Sequence, residues 1–116
     1  MIVIKRIYLP VEQDDGYRVL VDRLWPRGIK KSDADLQCWL KDIGPSNELR
    51  TWFDHEVERW EEFRRRYLVE LSADPMTLML DNLREKAREQ TVTLLYAARD
   101  ERRNNAVVIK DVLLSV

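Results

Sequence analysis

The sequence predicts an α/β fold in which a small, mainly parallel sheet is flanked by helices, with a helical middle segment between the second and third strands. Three observations lead there. Short β-branched runs lie near the start and again near residue 91, the segment separating the second run from the third has helical periodicity, and long helical crossovers favour parallel pairing with a right-handed turn. The 116 residues read as one α/β domain, positions 1–116, without linker, repeat or low-complexity tract.

Residues 2–7 and 17–22 are expected strands, bounded by Pro10, Asp14-Asp15-Gly16 and Pro26. Ser32-Asp33-Ala34-Asp35 reads as a cap with acid in the first turn, and Leu36, Trp39, Leu40 and Ile43 then recur at helical spacing until Gly44-Pro45. A helix over 32–43 is expected. Ser46 can cap a further short helix through Leu49, Trp52 and Phe53. Val57, Trp60, Phe63, Tyr67, Leu68 and Leu71 mark one face of a longer helix whose other face is charged. Asp74-Pro75 signals a helix start, cap followed by proline at the first helical position, for a helix carrying Leu78, Met79, Leu83 and Ala87. Residues 91–97, Thr-Val-Thr-Leu-Leu-Tyr-Ala, are apolar enough to be buried on both faces, as central parallel strands are. Asn104 or Asn105 can cap a last helix through Val108, Ile109, Val112 and Leu113.

Composition narrows the chemistry. Twenty basic residues against 21 acidic ones argue against a surface built as a whole to hold nucleic acid by charge. Fourteen of the twenty are arginine, whose planar fork suits bidentate recognition of phosphate or carboxylate, so a local anion site remains open. A single cysteine, Cys38, excludes an intrachain disulfide or a thiolate cluster, and a single histidine, His55, excludes the usual zinc sets; no metal site and no cofactor are expected. No apolar run approaches membrane-span length and the start alternates quickly into charge, so the expected location is cytoplasmic. No Walker loop, dinucleotide glycine fingerprint, G-x-S-x-G elbow or H-E-x-x-H motif is present.

In open parallel sheets, ligands bind outside the carboxyl ends of the strands. That rule would bring 22–28, Asp-Arg-Leu-Trp-Pro-Arg-Gly, beside Tyr96-Ala97-Ala98-Arg99-Asp100. Arg23, Arg27 and Arg99 then become candidate anion ligands, Asp22 and Asp100 candidate carboxylates that orient them or move a proton, and Trp25 a candidate cover. The helix start at Asn104 and Asn105 would add backbone N–H donors and a partial positive charge. His55, at a helix junction, is a candidate general acid or base, or a helix-end cap. A structural reading stands beside each of these: Asp–Arg pairs commonly fix loops, and Trp25-Pro26 can simply plug the sheet edge. Trp39, Trp52 and Trp60 sit at core spacing, Cys38 reads as inert packing on a helix, and Arg64-Arg65-Arg66, interleaved with Glu58, Glu61, Glu62 and Glu70, reads as a solvated face of i,i+4 pairs.

Several separated motifs resemble one family. They are 21–28, Val-Asp-Arg-Leu-Trp-Pro-Arg-Gly, then Trp39-Leu40-Lys41, Gly44-Pro45-Ser46, 49–55, Leu-Arg-Thr-Trp-Phe-Asp-His, Arg59-Trp60-Glu61-Glu62-Phe63 and 92–100, Val-Thr-Leu-Leu-Tyr-Ala-Ala-Arg-Asp. Together they cover nearly the whole chain and resemble the YeaO-like branch of the domain of unknown function 488 family. The resemblance implies a compact α/β domain with a small parallel sheet and implies no particular activity. Longer relatives of that group look similar around the last strand but carry a cysteine where this chain has Tyr96 and a Cys-His-Arg run where it has Asn104-Asn105-Ala106, so thiol chemistry does not carry over. YeaO-like sequences often have His in place of Asn105, and that imidazole is absent too.

Three functions stay open. In the first, the domain binds an anionic small molecule or nucleotide at the carboxyl ends of its strands, with hydrolase or transferase chemistry through Asp100 or His55 as an extension. In the second it is a nucleic-acid-binding module whose arginines contact phosphates while Trp25 stacks on an unpaired base. In the third it is a protein-interaction or structural domain without a ligand. No membrane partner is expected, and the sequence leaves the oligomeric state open.

Overall fold

The computed structural model describes residues 1–115. Four strands, β1 (Ile2–Arg6), β2 (Tyr17–Leu20), β3 (Cys38–Trp39) and β4 (Val92–Tyr96), form one sheet in the order β1-β4-β2-β3, and every pairing is parallel. Helices α1 (Lys31–Ala34), α2 (Asn47–Phe53), α3 (Trp60–Leu71), α4 (Met76–Ala87) and α5 (Asn105–Leu114) account for the rest of the regular structure, with 3-10 turns at Gln13–Asp15, Lys41–Ile43 and Val57–Arg59. Among the described residues no helix is long and apolar enough to cross a membrane.

β4 is the central strand and all five of its residues are buried, as its continuous apolar run predicts. The pleat divides the sheet into two unlike faces. Val19, Val21, Val92, Leu94 and Tyr96 pack with Phe53, Phe63, Tyr67, Leu83 and Ile109 of the helices, forming the main core. Leu20, Leu95 and Ile7 form a second, smaller cluster covered by Trp25, Ile29, Leu36 and Trp39. The long helices lie on the first face, while the second is closed by the chain between β2 and β3.

The expected helix over 32–43 is not formed. α1 is only four residues long and Asp35 takes a left-handed conformation at its end, φ 49°. The cause lies in β2. The buried Arg18 donates from Nη2 to Ala34 O at 2.9 Å and from Nε to Asp35 O at 3.0 Å, occupying carbonyls that a continuing helix needs. Arg18 N–H also donates to Gln37 Oε1, and Gln37 N–H donates back to Arg18 O, so the chain peels onto β2 as β3. Leu36 and Trp39 then face one cluster while Cys38, Leu40 and Ile43 face the other. Cys38 is therefore a half-buried strand residue, not a helical one.

The other expected boundaries hold to within a few residues. Ser46 Oγ accepts from Leu49 N–H at 3.1 Å and caps α2, and Asn104 Oδ1 accepts from Val107 N–H at 3.1 Å and caps α5. At the start of α4, Thr77 Oγ1 donates to Asp74 Oδ1, and Pro75 stands at the cap rather than at the first helical position. On the charged face of α3, Arg65 and Arg66 both pair with Glu62, and Arg64 with Asp111. Arg66 also lies 4.4 Å above the ring of the half-buried Trp52. Trp60 packs against Phe53 and Phe63, as core spacing predicts.

Candidate functional site

Because all four strands run the same way, their carboxyl ends share one edge, and a cleft of about 970 Å³ opens there. Asp22, Arg23, Trp25, Arg27, His55, Arg99, Asp100, Asn104 and Asn105 all line it. The two loops singled out in the sequence, after β2 and after β4, thus meet at a common hollow, and the junction after α2 adds a third wall.

Asp22 sits at the floor. Its Oδ2 accepts from Ala97 N–H at 2.9 Å and its Oδ1 from Asn105 Nδ2 at 3.0 Å, while Asn105 Nδ2 also donates to Val21 O. One carboxylate thereby ties the end of β2 to the end of β4 and to the first turn of α5. Burial pushes the Asp22 carboxyl above its ordinary range, and the hydrogen bonds from Asn105 and Ala97 and the nearby His55 offset this only in part.

The arginines do not use the aspartates as expected. Arg23 donates from Nε to Pro45 O at 2.7 Å and from Nη2 to Gly44 O at 3.0 Å, and its distance to Asp42 is 4.0 Å. A side chain at Gly44 would collide with the Arg23 backbone, its Cβ falling 2.7 Å from Arg23 N, so glycine permits this approach. Ser46, held by Glu70 through both N–H and Oγ, fixes the same turn to α3. Arg23 is therefore a structural clamp, forming the wall between the cleft and a smaller hollow of about 340 Å³ beside Tyr67 and Glu70.

Asp100 is likewise turned inward to its own loop. Hydrogen bonds from Arg102 N–H, then from Arg103, hold its carboxyl below the ordinary range, and its ion pair is with Arg103 at 3.3 Å. It orients neither Arg23, Arg27 nor Arg99, because the turn places Arg103 nearer. At the helix start, Asn104 spends its oxygen on Val107 N–H and its amide on Asp100 O.

Trp25 is a fixed wall. Its indole N–H donates to Ile29 O at 2.7 Å and its ring meets Trp39 edge-on, centroids 5.3 Å apart. Trp39 in turn donates to Asp22 O at 2.8 Å. Both readings of the turn after β2 therefore apply: it plugs the sheet edge and lines the cleft. Gly28, with φ 78°, lets the chain reverse after Arg27.

Arg27 and Arg99 are exposed on the cleft walls, and neither guanidinium forms an ion pair or side-chain hydrogen bond with any described residue. His55 is exposed on the same cleft, positioned by two successive left-handed residues, Asp54 at φ 46° and His55 at φ 56°. Such non-glycine conformations cost about 1–2 kcal/mol each.

Four contributors were missed from the sequence. Arg6, the last residue of β1, donates to the carbonyls of Ala98 and Ala97 and supports the loop after β4. Tyr8 donates to Arg27 O at 2.9 Å, bracing the opposite loop. Arg50 and Arg103 line the cleft from α2 and from the β4–α5 loop. The signal for Arg6 and Tyr8 was available: in an all-parallel sheet the end of β1 also reaches this edge.

Fold and cleft define a small all-parallel α/β domain with an arginine-rimmed hollow at the carboxyl edge of its sheet. The chain belongs to the domain of unknown function 488 family, in its YeaO-like branch. The family model described as "Inactive DUF488-N3 subclade" matches residues 1–116. The chain is 49% identical over 112 residues to "Uncharacterized protein YeaO" of Escherichia coli (strain K12), covering 97% of this chain and 96% of that protein. It is 42% identical over 110 residues to "Uncharacterized protein Rv3073c" of Mycobacterium tuberculosis (strain ATCC 25618 / H37Rv), covering 95% and 91%. No solved structure matches significantly.

Proposed function

We propose that this domain binds an anionic small molecule or nucleotide in the carboxyl-edge cleft, gripped by Arg27 and Arg99, and holds it without converting it. The observation that carries the reading is the pair of uncompensated guanidiniums opening onto one hollow, in a chain where most other arginines are satisfied by carboxylates or carbonyls. Arginine left unpaired beside a concave surface is suited to bidentate capture of phosphate or carboxylate.

Retention without turnover draws support from three sides. Asp100 is engaged by the backbone and side chain of its own turn, which suits a loop anchor better than a proton carrier. The family resemblance implies a cysteine in longer relatives where this chain has Tyr96, and the matching family model is described as an inactive subclade. A cytoplasmic setting belongs to the same reading, in keeping with one free, half-buried cysteine.

The test is a thermal-shift series with inorganic phosphate, nucleotides and phosphorylated metabolites. A ligand at 100 times its Kd stabilises the fold by about 2.7 kcal/mol, and the combined Arg27→Ala, Arg99→Ala variant should lose that gain while keeping its unliganded midpoint. No stabilisation by any anion, or equal stabilisation of the variant, rejects the reading. A steep loss of affinity with salt, through release of several counterions, would point to a nucleic-acid partner instead.

A further inference from the structure

We propose that the ligand of this cleft is amphoteric, an anion that also carries a primary ammonium, and that Asp22 selects it by receiving that ammonium. The inference rests on the reading of Arg27 and Arg99 as the anion grip and adds what the other end of the ligand must be.

A carboxylate has about four acceptor sites, and Asp22 uses one on each oxygen, toward Ala97 N–H and Asn105 Nδ2. Both donors are neutral. No lysine, arginine or histidine among the described residues lies within ion-pair distance of it, although five arginines line the same cleft. Arg23, its chain neighbour, is drawn away by the Gly44 and Pro45 carbonyls. Arg103 is taken by Asp100, and His55 acts on Asp22 only through space.

The result is a half-buried carboxylate facing a cleft with its cationic partner missing. A charge removed from water without an opposite charge is unfavourable, and the deficit is largest for the group with only neutral donors. Asp15, buried beside the sheet, is by contrast met by both Lys5 and Arg18, and the one comparable carboxylate, Glu70, has Ser46 alone as donor and faces the smaller hollow, not the cleft. A ligand ammonium would supply the absent charge and reach both free acceptor sites, because its three donors sit on one compact head. A hydroxyl offers a neutral bond only. An anion without any donor leaves Asp22 facing like charge.

Three phosphate monoesters of nearly equal size isolate the effect: ethyl phosphate, 2-hydroxyethyl phosphate and 2-aminoethyl phosphate, titrated calorimetrically into the full chain at neutral pH. The expected result is that the aminoethyl ester binds about tenfold tighter than the ethyl ester, with the hydroxyethyl ester between them. Asp22→Asn should bring the three to a common affinity. Equal binding of the three esters to the wild-type chain overturns this inference and leaves the arginine grip standing, as does a preference that survives in Asp22→Asn. Failure of every ester to bind removes the arginine grip and this inference together. Should Asp22→Asn not fold, the wild-type comparison alone decides.

Discussion

Two groups of arginines in this domain meet opposite fates. On the loop-covered face, Arg18 is buried at 3% side-chain exposure, and its guanidinium is spent on Asp15, Ala34 O and Asp35 O, with Lys5 on the far side of Asp15 at 3.0 Å. At the carboxyl edge, Arg27 and Arg99 are exposed and unpaired. Residue type is the same; the surroundings differ. The first arrangement is closed and builds the fold, since it ends α1 and seats β3. The second leaves its binding capacity to something outside the chain, which is why the cleft, and not the ion network, is the candidate site.

The contrast can be broken most sharply at Arg18. Arg18→Ala leaves Asp15 short of a buried partner and frees the α1 carbonyls, and should cost about 3 kcal/mol of unfolding free energy, measured by denaturant titration. A loss under about 0.5 kcal/mol, the range of ordinary surface changes, would dissolve the distinction between the two groups. Next in size, Arg27→Ala and Arg99→Ala should each weaken anion binding about tenfold, the loss of one charge-assisted contact, with stability unchanged within about 0.5 kcal/mol.

The carboxylates sharpen the contrast through pH. For Asp15, burial alone would raise the carboxyl, but hydrogen bonds from Glu12 N–H, Lys5 and Arg18 outweigh it and the net direction is down. Its stabilising contribution is therefore present above its ordinary value of 3.8 and is lost as pH falls through the lowered value. Asp22, raised by burial, has the opposite sign: its contribution is full below 3.8 and declines as pH climbs through the raised value. The stability deficit of Asp15→Asn should thus shrink on acidification, and Asp22→Asn should gain relative to wild type as pH rises above about 4; urea midpoints measured from pH 3 to 7 would check both. Smallest of all, Glu62→Gln on the exposed face of α3 should leave the midpoint unmoved, because surface pairs contribute little.

The legible parts of this molecule were those decided by neighbours in sequence. β4 announced itself by an unbroken apolar run, and Ser46 and Asn104 by being capping residues before apolar periodicity. The stretch after Lys31 failed because its helical spacing was genuine and its outcome was set from a distance, by a guanidinium in β2 that no local pattern reports. The site followed the same division. That the loops after β2 and β4 converge was derivable from parallel strands alone. Which carboxylate serves which arginine was not: Asp100 is nearest its own turn, and Arg23 finds carbonyls on a segment 21 and 22 residues away. Arg50, on the exposed side of α2, carried no local mark at all.

The central claim, that the edge arginines are available where the sheet-face arginine is not, can be read directly from side-chain Nε–Hε resonances of an arginine-labelled chain titrated with inorganic phosphate. The Arg27 and Arg99 signals should move together along one saturating curve while the Arg18 signal stays in place. Arg27 and Arg99 signals that do not respond, or an Arg18 signal that moves with them, would contradict it.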